Sequence, residues 1–408
     1  MAVGSVAEEP DDEVIRCEGD LITAGLVNTH HHLFQWMTRG RCTGCDLFGW
    51  LTELYPIWGR LDVDDVRAAA LVGLAELARS GCTTAADHHY LVPRGDDTVF
   101  DALADAAGTI GIRLHLARGS MDLGESDGGL PPDHVVEDLD AILASTESVI
   151  GRHHDGERIA VTVAPCSPFS VTPELMRESA ALARRHGSKL HTHLAETLEE
   201  ERDSLERFGK RPVDLLDDLG WLEGDVWVAH GIHFDDAEVR RLGAAGIGVA
   251  HCPSSNARLA AGMCRVVDLE AAGVSVGLGV DGAASNEVGG LQPELRQSLY
   301  TARQRALRAD VFMPRDALRL ATEGGARCLG RDDLGRLEPG LRADVVVWPG
   351  DDLADVADPL AGFVLGPDRP ARHVFVGGEP VVRDGALLGA DLAALRRDLA
   401  GRARRLWP

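Results

Sequence analysis

The stretch VWVAHGIHFDDAEVRRLGAAGIGVAHCPSSN (226–256) reads as strand, helix, strand. A β-rich run ends in polar residues, an acidic-opened periodic segment closes on glycine, and a second β-rich run ends as the first did. Outward from it the same unit recurs. In chain order the β-rich runs are GLVNTHHH (25–32), GCTTAADHHY (81–90), IRLHLARG (112–119), IAVTVAPCSPFS (159–170), KLHTHLAE (189–196), VWVAHGIH (226–233), GIGVAHCPSSN (246–256) and VSVGLGVDG (274–282). Helical patterns such as 63–81, 173–187 and 236–246 lie between them. Eight such units predict an α/β fold, a (β/α)8 TIM-type barrel over residues 25–332. An open doubly wound sheet would need a GxGxxG turn after an early strand, and GLGVDG near residue 277 has the wrong spacing.

Beyond residue 333 the pattern changes to short strands with turn glycines, GRLEPGLRADVVVWPGDD and RHVFVGGEPVVRDGALL. EVIRCEGDLITAG (13–25) adds strands to the same layer, so residues 1–24 and 333–408 are expected to form a small β-sandwich built from both chain termini. ADLAALRRDLAGRARRLW closes the chain as an amphipathic helix.

Lys and Arg number 41 against 65 Asp and Glu, a net charge of −24, which argues against nucleic acid or an anionic membrane as partner and for a small neutral or cationic substrate. No apolar run reaches the roughly 18 residues of a membrane span, and MAVGSVAEEPDDEV lacks the layout of a signal peptide, so a cytoplasmic location is expected. The eight cysteines are scattered and read as reduced thiols. Cys42 and Cys45 form one CxxC without the second ligand pair that a structural zinc requires.

Polar residues gather at the C-terminal ends of the eight runs, the rim where such barrels place their reacting groups. Residues i and i+2 on a strand share a side, so His30 and His32 face the barrel axis together. His193 ends the fifth run and Asp281 the eighth, which neighbours the first in a closed barrel. Three imidazoles and a carboxylate suit one divalent metal, Zn²⁺ before Fe²⁺ or Mn²⁺, able to lower the pKa of a water to roughly 7. Glu196, three residues past His193, is the candidate proton shuttle; His230 and Asp281 are placed to orient the attacking water or take its proton. One HxH among 16 histidines says little, whereas HxH, HxxE, His and Asp at four strand ends form a hydrolytic set. His88 and His89 line the site or cap the barrel, and both readings stay open. His251 bonds backbone near the metal or reads as a loop histidine, His153, His154 and His186 read as surface residues, and Cys166 and Cys252 lack the fixed His that a thiolate nucleophile needs.

These motifs resemble the amidohydrolase superfamily, in its cytosine, guanine and S-adenosylhomocysteine deaminase branch. AGLVNTHHH, HTHLAE, VAHGIHF, HCPSSN and GLGVDGAASN carry the resemblance, and LGRLEPGLRADVVVW looks like that superfamily's return to its sandwich. Within the branch, NTHHHLFQWMTRG, LFGWLTELYPIWGRL, TTAADHHYLVP, RGSMDLGESDGGLPPDHVVED and APCSPFSVTPELM are similar to the 8-oxoguanine deaminases. The resemblance implies Gln35 on the purine edge, and Cys166 stands where ordinary guanine deaminases carry an arginine. It implies hydrolytic deamination of an amino-substituted heterocycle, 8-oxoguanine to urate and ammonia, with Glu196 protonating a ring nitrogen and His230 and Asp281 handling the water. An s-triazine or pterin aminohydrolase or chlorohydrolase is the alternative within the fold, and a silent barrel serving as an assembly subunit the alternative outside it. A homo-oligomer is expected. Related proteins begin with several strands ahead of a segment like 1–20, so either the start is called late or the sandwich is reduced, and a sandwich lacking strands would expose an edge. The HxE and PCxxC motifs of the other zinc deaminase design are absent.

Overall fold

The computed structural model describes Gly4 and residues 14–407. Its strands are β1 (Leu21–Ala24), β2 (Leu26–Asn28), β3 (Cys82–His89), β4 (Arg113–Ser120), β5 (Ile159–Pro165), β6 (Leu190–Leu194), β7 (Val226–His230), β8 (Gly248–His251), β9 (Ser275–Leu278), β10 (Val345–Trp348), β11 (His373–Val376), β12 (Glu379–Arg383) and β13 (Ala386–Leu387). Strands β2 to β9 form one parallel sheet in chain order. It closes on itself: the Thr29 amide and hydroxyl both donate to Leu278 O at 2.9 Å, and Asp281 N donates to His30 O at 3.1 Å. All residues of β3 and β4 are buried, as expected of strands covered on both faces.

Local chemistry sets the helices between the strands. Val63–Arg79 starts with a capping box between Asp62 and Asp65, and Asp236–Ala245 with one between Asp235 and Glu238. Gly246 ends the latter at φ +72°, a conformation glycine adopts without penalty. The strands stop short of several β-rich runs. PSSN, read above as a strand tail, opens the helix Pro253–Arg258, because proline at a first helical turn needs no N–H partner. Likewise β5 ends at Pro165, before CSPFS.

The termini build a five-stranded antiparallel sheet in the order β1, β10, β11, β12, β13. Gly377 and Gly378, at φ +63° and +91°, make the tight turn between β11 and β12. Leu392–Leu406 is the terminal helix. Among the described residues β1 pairs only with β10, leaving its other edge free. Residues 1–13 other than Gly4, which the expected sandwich also drew on, lie outside the described residues. The sheet packs under the N-terminal end of the barrel, where the guanidinium of Arg113, first residue of β4, pairs with buried Asp344. That carboxylate also accepts from Gly377 N at 2.8 Å. The far rim is left for chemistry.

The reading of all eight cysteines as thiols needs correction: Cys42 and Cys45 form a disulfide, with Cα atoms 5.6 Å apart, in the turn before helix Leu47–Trp58. A turn that brings residues three apart together, with Cys42 at φ +50°, overrides the inference from spacing and compartment. The other six cysteines are free. Among the described residues, no helix is long and apolar enough to cross a membrane.

Candidate active site

Three rim histidines have their tautomers set by their neighbours. His32 Nδ1 lies 2.7 Å from His88 O, and His193 Nδ1 lies 2.6 Å from Cys166 O; a carbonyl only accepts, so both Nδ1 atoms carry the proton. His191 Nδ1 donates to Trp227 O at 2.9 Å, so His191 Nε2 accepts from His30 Nδ1, also at 2.9 Å. Each ring of the trio is therefore tied at Nδ1 and open at Nε2. Burial pulls the His30 and His32 imidazoles down, and takes His193 down to about 3, so all three are neutral donors of a lone pair.

Those lone pairs face one another. His32 Nε2 and His193 Nε2 are 3.1 Å apart, His30 Nε2 has no partner, and Asp281 Oδ1 is 3.5 Å from His30 Nε2 and 3.3 Å from His32 Nε2. Ligand atoms of His30, His32 and Asp281, and of His30, His193 and His230, lie within 4.8 Å of one another. Lone pairs aimed at lone pairs and at a carboxylate, all buried, are repulsive unless a cation lies among them. The donor set therefore fits a divalent metal.

Asp281 is held from its other side. Its Oδ2 accepts from Ser255 Oγ at 2.6 Å and Ser285 Oγ at 3.1 Å, while Gly282 N donates to Oδ1 at 2.8 Å. Burial pushes this carboxyl up, but the surrounding histidines outweigh burial and keep it well below the usual carboxylate range. The backbone is left-handed at Ala195 (φ +52°), His230 (φ +70°) and Asp281 (φ +61°), three non-glycine residues at strand ends. Strained backbone of this kind concentrates at working sites.

Glu196 and His230 form the second half of the site. Burial pushes the Glu196 carboxyl up to about 7. Its Oε2 lies 3.5 Å from His230 Nε2, whose ring is oriented by Asn256 Oδ1 at 2.9 Å from Nδ1. Burial opposes protonation of His230, yet the Glu196 and Asp281 carboxylates raise its pKa. The two groups therefore titrate as a coupled pair.

A narrow cavity of about 30 Å³ opens onto these groups. Gln35, Cys166, Trp50, Tyr55, Tyr90, Phe169 and Leu259 line it beside Glu196 and Asp281, with no Lys or Arg, so its walls disfavour an anionic ligand. Gln35 is fully buried with neither amide oxygen nor nitrogen partnered, and it packs so closely on Gly282 that a Cβ there would fall 1.8 Å from its Oε1.

All seven residues singled out in the sequence, Gln35, His30, His32, His193, Glu196, His230 and Asp281, reach this rim. His88 is inside it, ring stacked on His193 and Nε2 donating to Ala164 O at 2.8 Å; His89 packs away between Phe34 and Phe100. His251 is not a loop residue: it ends β8, buried, with neither ring nitrogen bonded to backbone or to any other partner. His153 and His186 meet Asp101 and Glu147 near the surface. Sequence reasoning passed over His191, Asn256, Ser255, Ser285 and the wall residues Trp50 and Tyr55. The i−2 spacing of His191 from His193 was the one signal available; the others act across the fold.

Comparison with known proteins agrees with this geometry. Residues 21–381 match the amidohydrolase family. The chain is 50% identical over 402 residues to the 8-oxoguanine deaminase of Pseudomonas aeruginosa, covering 97% of this chain and 89% of that one. It is 38% identical to the hydroxydechloroatrazine ethylaminohydrolase of a Pseudomonas species, over 100% of this chain and 87% of that one. Among solved structures, the atrazine chlorohydrolase of Arthrobacter aurescens TC1 complexed with zinc superposes with a TM-score of 0.89 at 32% identity, covering 94% of this chain and 88% of that one. The chain belongs to the amidohydrolase family.

Proposed function

We propose that the chain is a metal-dependent aminohydrolase that converts 8-oxoguanine and water to urate and ammonia. The observation that carries the chemistry is the convergence of three open Nε2 atoms and Asp281 beside a carboxyl that holds its proton to about pH 7. The 50% identity to an 8-oxoguanine deaminase supports the substrate. Zinc as the metal is supported by the zinc-bound relative, and a role in purine metabolism in the cytoplasm goes with the same reading.

His30, His32, His193 and Asp281 would hold the ion. When bound it supplies Lewis acidity and lowers the pKa of a water to roughly 7. Gln35 presents an amide, a donor and an acceptor together, to the heterocycle's edge, while Trp50 and Tyr55 exclude bulk water. Glu196, protonated at one carboxyl oxygen, gives that proton to a ring nitrogen as water attacks the amino-bearing carbon. His230 Nε2 holds the attacking water, and Asp281 takes its proton. The C–N bond then breaks, the proton reaches the leaving amine through Asp281 or Glu196, and ammonia departs.

The second reading, an s-triazine aminohydrolase, is favoured by the 38% identity to an enzyme of that chemistry. Ammonia release from a panel of 8-oxoguanine, guanine, isoxanthopterin and an aminotriazine separates the two. The first reading expects 8-oxoguanine to give the highest kcat/KM. Turnover of the triazine with none of 8-oxoguanine would overturn it.

A further inference from the structure

Helix Leu198–Phe208 opens with three consecutive glutamates, and they behave differently. Glu199 and Glu201 turn outward to Arg202 and Arg211. Glu200 is 2% exposed, and its two oxygens accept from Ala195 N at 2.9 Å and Glu196 N at 2.8 Å. An ordinary capping box would return this side chain to the amide of the N-cap residue, here Thr197. Glu200 instead reaches past Thr197 to the two residues that link β6 to the helix, one of them left-handed and the other Glu196 itself.

The link is tied on its far side too. Leu194 O accepts from Gly231 N at 3.2 Å, and Ala195 O accepts from Ile232 N at 2.9 Å and His233 N at 3.0 Å, so the turn carrying Glu196 is bonded to the turn following His230. Removing the Glu200 carboxylate would leave two buried N–H groups without acceptors at the point that fixes the separation of the Glu196 carboxyl from His230. The charges facing Glu196 are His230, Asp281 and Glu200, and the last favours its protonated form.

We propose that Glu200 is the positioning residue for Glu196: its carboxylate bridges the amides of Ala195 and Glu196 and holds the Glu196 carboxyl opposite His230. The inference rests on the reading of Glu196 as the proton donor. Its test is a double-mutant cycle with 8-oxoguanine as substrate, measuring kcat, KM and bound metal. Glu200→Gln should lower kcat by about tenfold or more with KM within about threefold and metal retained, and should cause no further loss in the Glu196→Gln background. Ser204→Ala, which removes a bond to Lys210 O from the same helix, should keep kcat within about twofold. If Glu200→Gln does not fold, Glu200→Asp, one methylene shorter, takes its place in the cycle. Equal losses in both backgrounds, or a kcat unchanged by Glu200→Gln, would overturn the proposal. A fully active Glu196→Gln would instead remove the reading beneath it.

Discussion

The two ends of the barrel bury charge in opposite ways. At the N-terminal end Arg113 and Asp344, 2% and 3% exposed, pair with each other, and Gly377 N completes the carboxylate. At the other end His30 Nε2 and both polar atoms of Gln35 have no partner, and two carboxyls share a rim with left-handed backbone at His230 and Asp281. Buried polarity that is answered joins the barrel to the sheet. Arg113 Nε and both ring nitrogens of His115 also lack partners near the N-terminal end, so an unanswered atom points to a ligand only where, as at the rim, several potential ligand atoms converge.

Substitutions should therefore separate stability from turnover by end. The largest effect belongs to Glu196→Gln: metal content and thermal midpoint stay near wild type while kcat falls by about 10²- to 10⁴-fold, read by ammonia release. Asp344→Ala does the reverse. It leaves a buried guanidinium unpaired and should cost about 3–5 kcal/mol in denaturant unfolding, while the folded fraction retains wild-type KM. An Asp344→Ala protein of wild-type stability would break the comparison.

Gln35→Leu sharpens it. Replacing an unpartnered buried amide with an apolar side chain should leave stability unchanged or raise it by about 1 kcal/mol, while KM for 8-oxoguanine rises roughly tenfold or more. A stability loss without a KM effect would make Gln35 a packing residue.

The smallest effect is in the pH profile. A general acid works protonated, and burial has raised Glu196 to about 7, so kcat should be flat below that pH and fall by about tenfold per unit above it. The alkaline limb should be absent from the residual activity of Glu196→Gln. A limb that persists there belongs to another group.

Much of the fold was legible because each barrel strand combines an apolar run with a polar end, and because i, i+2 geometry on one strand is short-range. What was not legible depends on distance. Ser255 reaches Asp281 across 26 residues and Asn256 reaches His230 across 26, and no local pattern links such pairs. Trp50 and Tyr55 read as ordinary apolar helix residues until Leu47–Trp58 is laid over the rim. PSSN looked like the end of a strand because the helix it opens is only 6 residues long. The Cys42–Cys45 disulfide ran against the inference from cysteine scatter, which treats all eight alike and cannot see one turn.

The central claim is that the unanswered atoms at the rim are waiting for one metal ion that deamination requires. Its most direct test is to titrate chelator-stripped chain with zinc while following ammonia release from 8-oxoguanine. The account predicts no turnover without metal and a linear rise that saturates at about one zinc per chain. Full turnover by the stripped chain, or none at any zinc occupancy, would contradict it.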